Sequence, residues 1–391
     1  MLYRRFGRTE LQIPVLSTGG MRYQFGWKDM PLAEIPAEHH ANLVATIRRS
    51  VEVGINHIET ARGYGSSERQ LGTILPEFPR ESLIVQTKIG PEDDPNVFRK
   101  HFDESLERLR LSHVDLLAIH GINNGKTLEQ ATRPGGCLAM ARQIQREGLA
   151  KHIGFSTHGS NDLITEAIRT ERDGGFDYIN IHWYFIYRAN WPSVLEARKR
   201  DMGVFIISPT DKGGMLYKAP AKLRTLTAPL DPIVFNDLYC LDRPEVHTLS
   251  LGAAKPSDYD LHLEAIRLYD QRKELIAPIV ERLGAAMRQV TGRDFLAGYG
   301  EGLPPWEETP GHINMPIILW LLDLARTFDM VEYGQMRYNL LGNADHWFPG
   351  QNASKLAEVG VDPALLSRVG ERLQEAHQLL FKAPVQRLSK S

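Results

Sequence analysis

Eight short apolar or β-branched runs, with helical periods between most of them, constrain the fold more than any other feature of this chain. The runs are PVLSTGG, INHIETA, LIVQTKI, VDLLAIH, HIGFST, YINIHWY, VFIISPT and HTLSLGA, all between Pro14 and Ala253. They are continuously apolar rather than alternating, as strands covered on both faces are. Between them, Leu43, Ile47 and Val51 mark one helix face, Phe102, Leu106 and Leu109 a second, and Leu163 and Ala167 a third. Strand alternating with helix calls for parallel pairing with right-handed crossovers, and eight such units close a (β/α)8 TIM barrel. A barrel of this kind takes about 250 residues, and the chain has 391. We therefore assign residues 1–271 to the barrel and 272–391 to a helical C-terminal region. The connection from Gly213 to Val246 carries Pro220, Pro229, Pro232 and Pro244 and no helical period, so it reads as a long functional or mobile loop at the exit of the seventh strand.

The ends of three successive runs carry an acid, a phenol, an amine and an imidazole. The stretch His57-Ile-Glu-Thr-Ala-Arg-Gly-Tyr64-Gly-Ser-Ser-Glu68 is followed by Lys88 in VQTKIG and His120 in DLLAIHG. In a parallel barrel such residues converge on one mouth, where the βα loops build active sites. A phenol beside an ammonium and an imidazole can give a proton to a carbonyl oxygen. Taken singly, Glu59 and Lys88 read as an ordinary ion pair, Tyr64 as a turn residue and His120 as a core histidine; it is their order at consecutive strand ends that carries the reading. His57, His101, His113, His247 and His346 read as surface or core residues.

Composition narrows the partners. A formal charge of -2 with mixed signs provides no basic field for nucleic acid and no polybasic patch for a membrane surface. The longest apolar stretch, Met315 to Leu322, is shorter than the ~20 residues of a membrane helix, and MLYRRFGRTELQIPVL lacks the pattern of an export signal. The two cysteines, Cys137 and Cys240, stand far apart and outside any metal-ligand spacing. These features lead us to expect free thiols and a cytoplasmic protein with no metal site, no membrane and no nucleic-acid partner.

The chain resembles the aldo-keto reductases. The resemblance runs in order through RRFGRTELQIPVLSTGGM, HIETARGYGSSE, QTKIG, LLAIHG, HIGFSTHG, FIISPTDKGGML and LGAAKPSDYDLHLE. It implies an NADP(H)-dependent oxidoreductase that reduces an aldehyde or ketone, its substrate a small carbonyl compound. Tyr64 would be the general acid, Lys88 its electrostatic partner, His120 the group that orients the carbonyl, and Glu59 the acid paired with Lys88. The family usually has Asp at that place, one methylene shorter. The resemblance places the nicotinamide near Gly20, Met21, Ser156, Thr157 and Asn180, the last standing where Gln is common. Ser208, Pro209, Thr210, Lys212, Gly214 and Leu216 fit the pyrophosphate loop. Gly252, Ala254, Lys255 and Asp258 fit the stretch that grips the adenosine end, with Lys255 favouring a 2′-phosphate. Glu264 would bond the adenine amine, whereas Ala265 departs from the usual Asn.

Beyond the barrel, the chain resembles a branch of the family whose helical ferredoxin-like C-terminal domain holds iron–sulfur clusters. GRDFLAGYGEGLPPWEETPGHINMPIILWLLDLA and RYNLLGNADHWFPGQNASKL carry the likeness, but no cysteine stands around Leu296, Tyr299, Gly302 or Pro305. A cluster needs thiolates, so none is expected, and Ile317, Leu321, Leu324 and Phe328 instead mark one apolar helix face. Such a region would serve as a cap, a homo-oligomer contact or a docking surface. Trp306, Trp320, Tyr333, Tyr338, Trp347 and Phe348 read as core, and the polar end from Lys382 to Ser391 reads as frayed. Two other functions are compatible with the residues: a catalytically weak NADP(H)-binding sensor or scaffold, motivated by Glu59 and the absent cysteines, and an isomerase or aldolase using Lys88.

Overall fold

The computed structural model describes residues 1–292, 302–342 and 348–382. Leu296, Tyr299, His346, Trp347 and the chain end beyond 382, on which sequence expectations fell, lie outside the described residues. A short antiparallel hairpin, β1 (Tyr3–Arg5) and β2 (Gln12–Pro14), precedes everything else. The eight predicted runs then form β3 (Leu16–Gly19), β4 (His57–Glu59), β5 (Ile84–Ile89), β6 (Val114–His120), β7 (Ala150–Ser156), β8 (Tyr178–Ile181), β9 (Gly203–Ile207) and β10 (Thr248–Leu251). All pair in parallel, and β10 closes on β3. The (β/α)8 barrel expected from the runs is therefore the fold.

The hairpin was not anticipated. It brings Phe6 and Ile13 into the same buried cluster as Ile84, Leu116, Ala118, Tyr178 and Phe205. With three residues per strand and an exposed-to-intermediate pattern on β1, it offers too little periodicity to be read in advance.

The helices around the barrel include α1 (Ala37–Glu52), α2 (Ser67–Ile74), α3 (Pro95–Leu109), α4 (Gly125–Thr132), α5 (Cys137–Arg146), α6 (Asn161–Arg169) and α7 (Trp191–Lys199). Leu43 and Ile47 are buried on α1, and Phe102, Leu106 and Leu109 on α3, as their spacing predicts. On α6 the buried face is Ile164, Ala167 and Ile168, one position along from the predicted Leu163. The connection after β9 is not a structureless loop: it holds α8 (Ala221–Thr227) and α9 (Pro232–Leu241). Every residue from Ile233 to Leu241 is buried, the polar Asn236 and Asp237 included, so α9 is covered all round and shows no amphipathic period.

The chain divides into two compact units, residues 1–213 with 236–270, and residues 214–235 with 271–391. Helix α10 (Tyr259–Arg267) ends the first unit. The second contains α8, α11 (Arg272–Thr291), α12 (Met315–Phe328), α13 (Val331–Leu340) and α14 (Pro363–Leu380). Helix α10 ends at its C-cap Leu268, and α11 starts afresh at Arg272. Helix α12 packs against α11, α13 and α14, and it buries Trp320 and Leu322 as well as the predicted Ile317, Leu321, Leu324 and Phe328. Tyr333, Tyr338 and Phe348 are likewise buried, while Trp306 is only half-buried. Among the described residues, no helix is long and apolar enough to cross a membrane.

Candidate active site

Strand β4 ends at Glu59, and its backbone stays beside β5 for three more residues. Thr60 N–H donates to Gln86 O at 2.9 Å, and Arg62 N–H donates to Lys88 O at 3.0 Å. The chain then turns: Tyr64 N–H donates to Ala61 O, and Ser67 N–H to Tyr64 O. Gly65 makes the turn possible, with φ +51° and a position where a Cβ would stand 1.7 Å from Gly26 O. Glu68, buried in the first turn of α2, accepts a 2.6 Å hydrogen bond from Thr87 Oγ1 and ties the loop back to β5.

This geometry brings the four predicted catalytic residues together. Lys88 is 1 % exposed, forms an ion pair with Glu59, and donates to Thr60 O at 3.0 Å. Its Nζ also lies 3.2 Å from Tyr64 Oη and 4.5 Å from the centre of that ring. An ammonium only donates, so Tyr64 Oη accepts from Lys88 and the phenolic proton is free to be given elsewhere. The His120 ring meets Tyr64 edge-on, with centroids 5.6 Å apart.

Electrostatics separate the roles. Loss of solvent, then the positive charges of Lys88 and Lys212, push the His120 imidazole down to about 3, so it is neutral at pH 7. Burial raises the Tyr64 phenol above its ordinary value and keeps it protonated. Burial, then the charge of Lys212, push the Lys88 ammonium well below the ordinary lysine range. The Glu59 carboxylate opposes that push by direct contact.

The predicted cofactor residues are placed as follows. Asn180, at the end of β8, is fully buried, and neither of its amide atoms has a hydrogen-bond partner. Ser156 Oγ, on neighbouring β7, accepts from Gly121 N–H at 3.1 Å. The hydroxyl of Thr157 is used inside the protein, donating to Ile122 O at 2.7 Å and accepting from Gly159 N–H at 3.0 Å. Gly20 is buried, and Met21 is half-buried. Ser208, with φ +52°, starts a turn in which Lys212 N–H donates to Ser208 O, while Asn236 Nδ2 donates to Pro209 O. Thr210 Oγ1 is buried without a partner. Gly214 and Leu216 fall in the second compact unit, and the site described here is built from residues of the first. Around β10, Gly252 O accepts from Arg22 Nη1, Ala254 O from Asn42 Nδ2, and Asp258 Oδ2 from Ala254 N–H. Lys255 is exposed, and Glu264, on α10, is half-buried.

Three neighbours of the site, Trp27, His158 and His182, were not legible in advance. Trp27 stands edge-on to Tyr64 at 6.3 Å, from a loop with no period of its own. His158 and His182 stack at 4.7 Å with a 2.7 Å contact between ring nitrogens, and Lys212 Nζ lies 3.5 Å from Nε2 of each. Their place just past the ends of β7 and β8 was the one signal available. Trp183, Tyr184 and Tyr187, which follow β8, are buried, and Trp183 stacks on Tyr239 at 5.4 Å.

The first unit is thus a closed parallel barrel whose chemistry-bearing side chains meet at the C-terminal ends of its strands, as in enzymes of the (β/α)8 class. The sequence pattern of the Aldo/keto reductase family matches residues 15–228. L-galactose dehydrogenase from Arabidopsis thaliana is 30% identical over 229 residues, covering 54% of this chain and 69% of that protein. L-glyceraldehyde 3-phosphate reductase from Escherichia coli is 29% identical over 178 residues, covering 40% of this chain and 46% of that protein, so the match spans about half of its length. The barrel is also found in a thermostable aldo-keto reductase solved with the inhibitor epalrestat (TM-score 0.59, 21% identity, covering 71% of this chain and 100% of that one). The holo form of an aldo-keto reductase from Bacillus halodurans shares it as well (TM-score 0.57, 18% identity, covering 70% and 96%). This chain belongs to the aldo/keto reductase family.

Proposed function

We propose that this protein reduces an aldehyde or ketone to an alcohol with NADPH as hydride donor, and that Tyr64 is the general acid. The observation that carries the reading is the position of Lys88 Nζ, 3.2 Å from Tyr64 Oη and paired with Glu59. Tyr64 holds its proton in the resting site because burial disfavours the phenolate. As negative charge develops on the carbonyl oxygen, the phenolic O–H bond breaks and a new O–H bond forms on the substrate, leaving the phenolate beside the Lys88 ammonium. At that separation the attraction is roughly 5 kcal/mol at an effective dielectric of about 20, before desolvation is counted. Neutral His120 donates a ring N–H to the same oxygen and holds the carbonyl in place without competing as a base.

The residues present fit a nicotinamide dinucleotide. Asn180 carries a buried amide whose donor and acceptor are both unspent, which matches a carboxamide, and Ser156 lies beside it across the β7–β8 pair. Gly20 and Met21 would flank the ring, Ser208, Pro209, Thr210 and Lys212 would take the pyrophosphate, and Gly252, Ala254, Lys255 and Glu264 the adenosine end. When bound, the cofactor supplies hydride to the carbonyl carbon. Support for NADP over NAD comes from Lys255 and Asp258: the acid caps Ala254 N–H at 2.8 Å, while the lysine is exposed to meet a 2′-phosphate.

We further propose that residues 272–391 form a domain derived from a cluster-bearing one and now purely structural. Iron retained stoichiometrically by the purified protein would contradict that part. The main reading is tested by titrating the protein with NADPH by fluorescence and then offering a panel of aldehydes and ketones. Saturable binding followed by consumption of NADPH supports it; tight binding with no reduction of any compound favours a sensor, and absence of binding favours unrelated barrel chemistry.

A further inference from the structure

Glu59 ends β4 with a side chain one methylene longer than Asp, and it is 2 % exposed, so its carboxylate has to be accommodated inside the barrel. Strand β3 lies between β4 and β10, and its residue paired with Glu59 is Gly19. A Cβ on Gly19 would stand 2.5 Å from Ser250 Oγ and 3.2 Å from Glu59 Oε2. With no Cβ there, the hydroxyl of Ser250 on β10 reaches past β3 and donates to Glu59 Oε2 at 3.2 Å. The other carboxylate oxygen, Oε1, faces the Lys88 ammonium. The two oxygens are thereby divided between two partners on opposite sides, and neither partner is exposed: Ser250 is at 6 % and Lys88 at 1 %.

We propose that Ser250, through the opening left by Gly19, is a positioning residue that holds the longer acid of this chain against Lys88. The inference rests on reading Glu59, Lys88 and Tyr64 as the proton-donating group, and it deepens that reading by naming what lets Glu replace Asp. Ser250 does not touch the reacting atoms. A glutamate has one more rotatable bond than an aspartate, and a carboxylate anchored at one oxygen only can swing away from its cation. The hydroxyl of Ser250 removes that freedom. In a chain with Asp at position 59 the carboxylate would be withdrawn from β10 and the hydroxyl would have nothing to hold.

The test is an NMR titration of the full-length protein carrying 13Cε-labelled lysine, with no cofactor and no carbonyl added. The Lys88 signal is identified by its loss in Lys88→Met, and the other groups that face it, Tyr64, His120 and Lys212, are kept in every variant. Ser250→Ala is expected to lower the Lys88 midpoint by about one pH unit, because a loosened carboxylate supports the ammonium less. Ser250→Thr, which keeps the hydroxyl, is expected to restore it. Gly19→Ala, whose new Cβ displaces the hydroxyl, is expected to act as Ser250→Ala does, and it carries the test if Ser250→Ala does not give a folded spectrum. In the Glu59→Asp background, Ser250→Ala is expected to add no further shift. An unmoved midpoint in folded Ser250→Ala, or an equal shift in the Asp background, would overturn the proposal. Because neither substrate nor cofactor is present, these outcomes are independent of whether Tyr64 proves to be the acid in turnover.

Discussion

The barrel buries an ion pair at each of its ends, and the two are built in opposite ways. At the N-terminal end, Asp115 on β6 accepts from Arg80 Nη2 at 2.7 Å, from Val85 N–H at 2.8 Å and from Lys151 Nζ at 2.8 Å. Burial alone would raise that carboxyl, but Arg80, Lys151 and the Val85 amide hold it below the usual range. At the C-terminal end, Glu59 and Lys88 are the more deeply buried pair, and Lys88 is shared among a carboxylate, a carbonyl and a phenol while Lys212 repels it. One pair is oversupplied with donors and has a strong cation at the surface. The other places a cation where burial opposes it and where a phenolate forming nearby would relieve it. A buried charge pair of the second kind is poor evidence of stability and good evidence of chemistry.

That contrast is sharpest when each pair is dismantled. Removing both charges at the mouth, in Glu59→Gln with Lys88→Met, is expected to cost on the order of a thousandfold or more in turnover. The same double variant should be as stable as the wild type or more so, by about 1–4 kcal/mol in urea unfolding, because two desolvated charges are gone. A large loss of stability would erase the distinction between the two ends. At the other end, Asp115→Asn is expected to destabilise by about 1–3 kcal/mol, since the charge-assisted hydrogen bonds from Arg80 and Lys151 are lost while both cations can still reach solvent, and NADPH binding stays unchanged.

Acid titration adds a smaller effect. His57 is fully buried below the mouth, where its Nδ1 contacts Ser17 Oγ at 2.6 Å, and burial pushes it down to about 3 from the model-peptide value of 6.5. Between those two values the unfolded chain binds a proton that the folded chain refuses, so stability rises with pH from about 3 to 6.5. His57→Gln should flatten that slope in a stability series from pH 4 to 7; an unchanged slope would show that His57 is not kept neutral. Asp115 acts lower on the scale, because its depressed folded value gives stability above pH 3.8 that is lost as pH falls further. The smallest effect is expected from Asn180→Ala, a several-fold rise in the NADPH dissociation constant, about 1 kcal/mol, with the melting temperature of the free protein unmoved.

Much of the barrel was legible because strands covered on both faces read as unbroken apolar runs, and each of the eight was found. The hairpin around Phe6 escaped because three-residue strands carry no period, and α9 escaped because burial on every side erases the one it has. On α6 the apolar stripe is wide enough that Ile164 rather than Leu163 faces inward. At the site, Glu59, Tyr64, Lys88 and His120 sit where strand ends put them, so their meeting followed from order along the chain. Ser250 could not be found in the same way: its partner is 191 residues earlier in the chain and two strands away around the barrel, and the Gly19 opening between them exists only once β10 closes on β3. Thr157 shows the converse, since its hydroxyl stood in the right place but a loop carbonyl had already claimed it.

The central claim is that Tyr64 gives the proton and Lys88 makes that transfer possible. It is tested most directly by measuring NADPH affinity and carbonyl reduction side by side in Tyr64→Phe, which removes one hydroxyl and little else. The account predicts an unchanged dissociation constant and a fall in turnover of about 10²–10⁴-fold. Turnover equal to that of the wild type, with the same affinity, would contradict it.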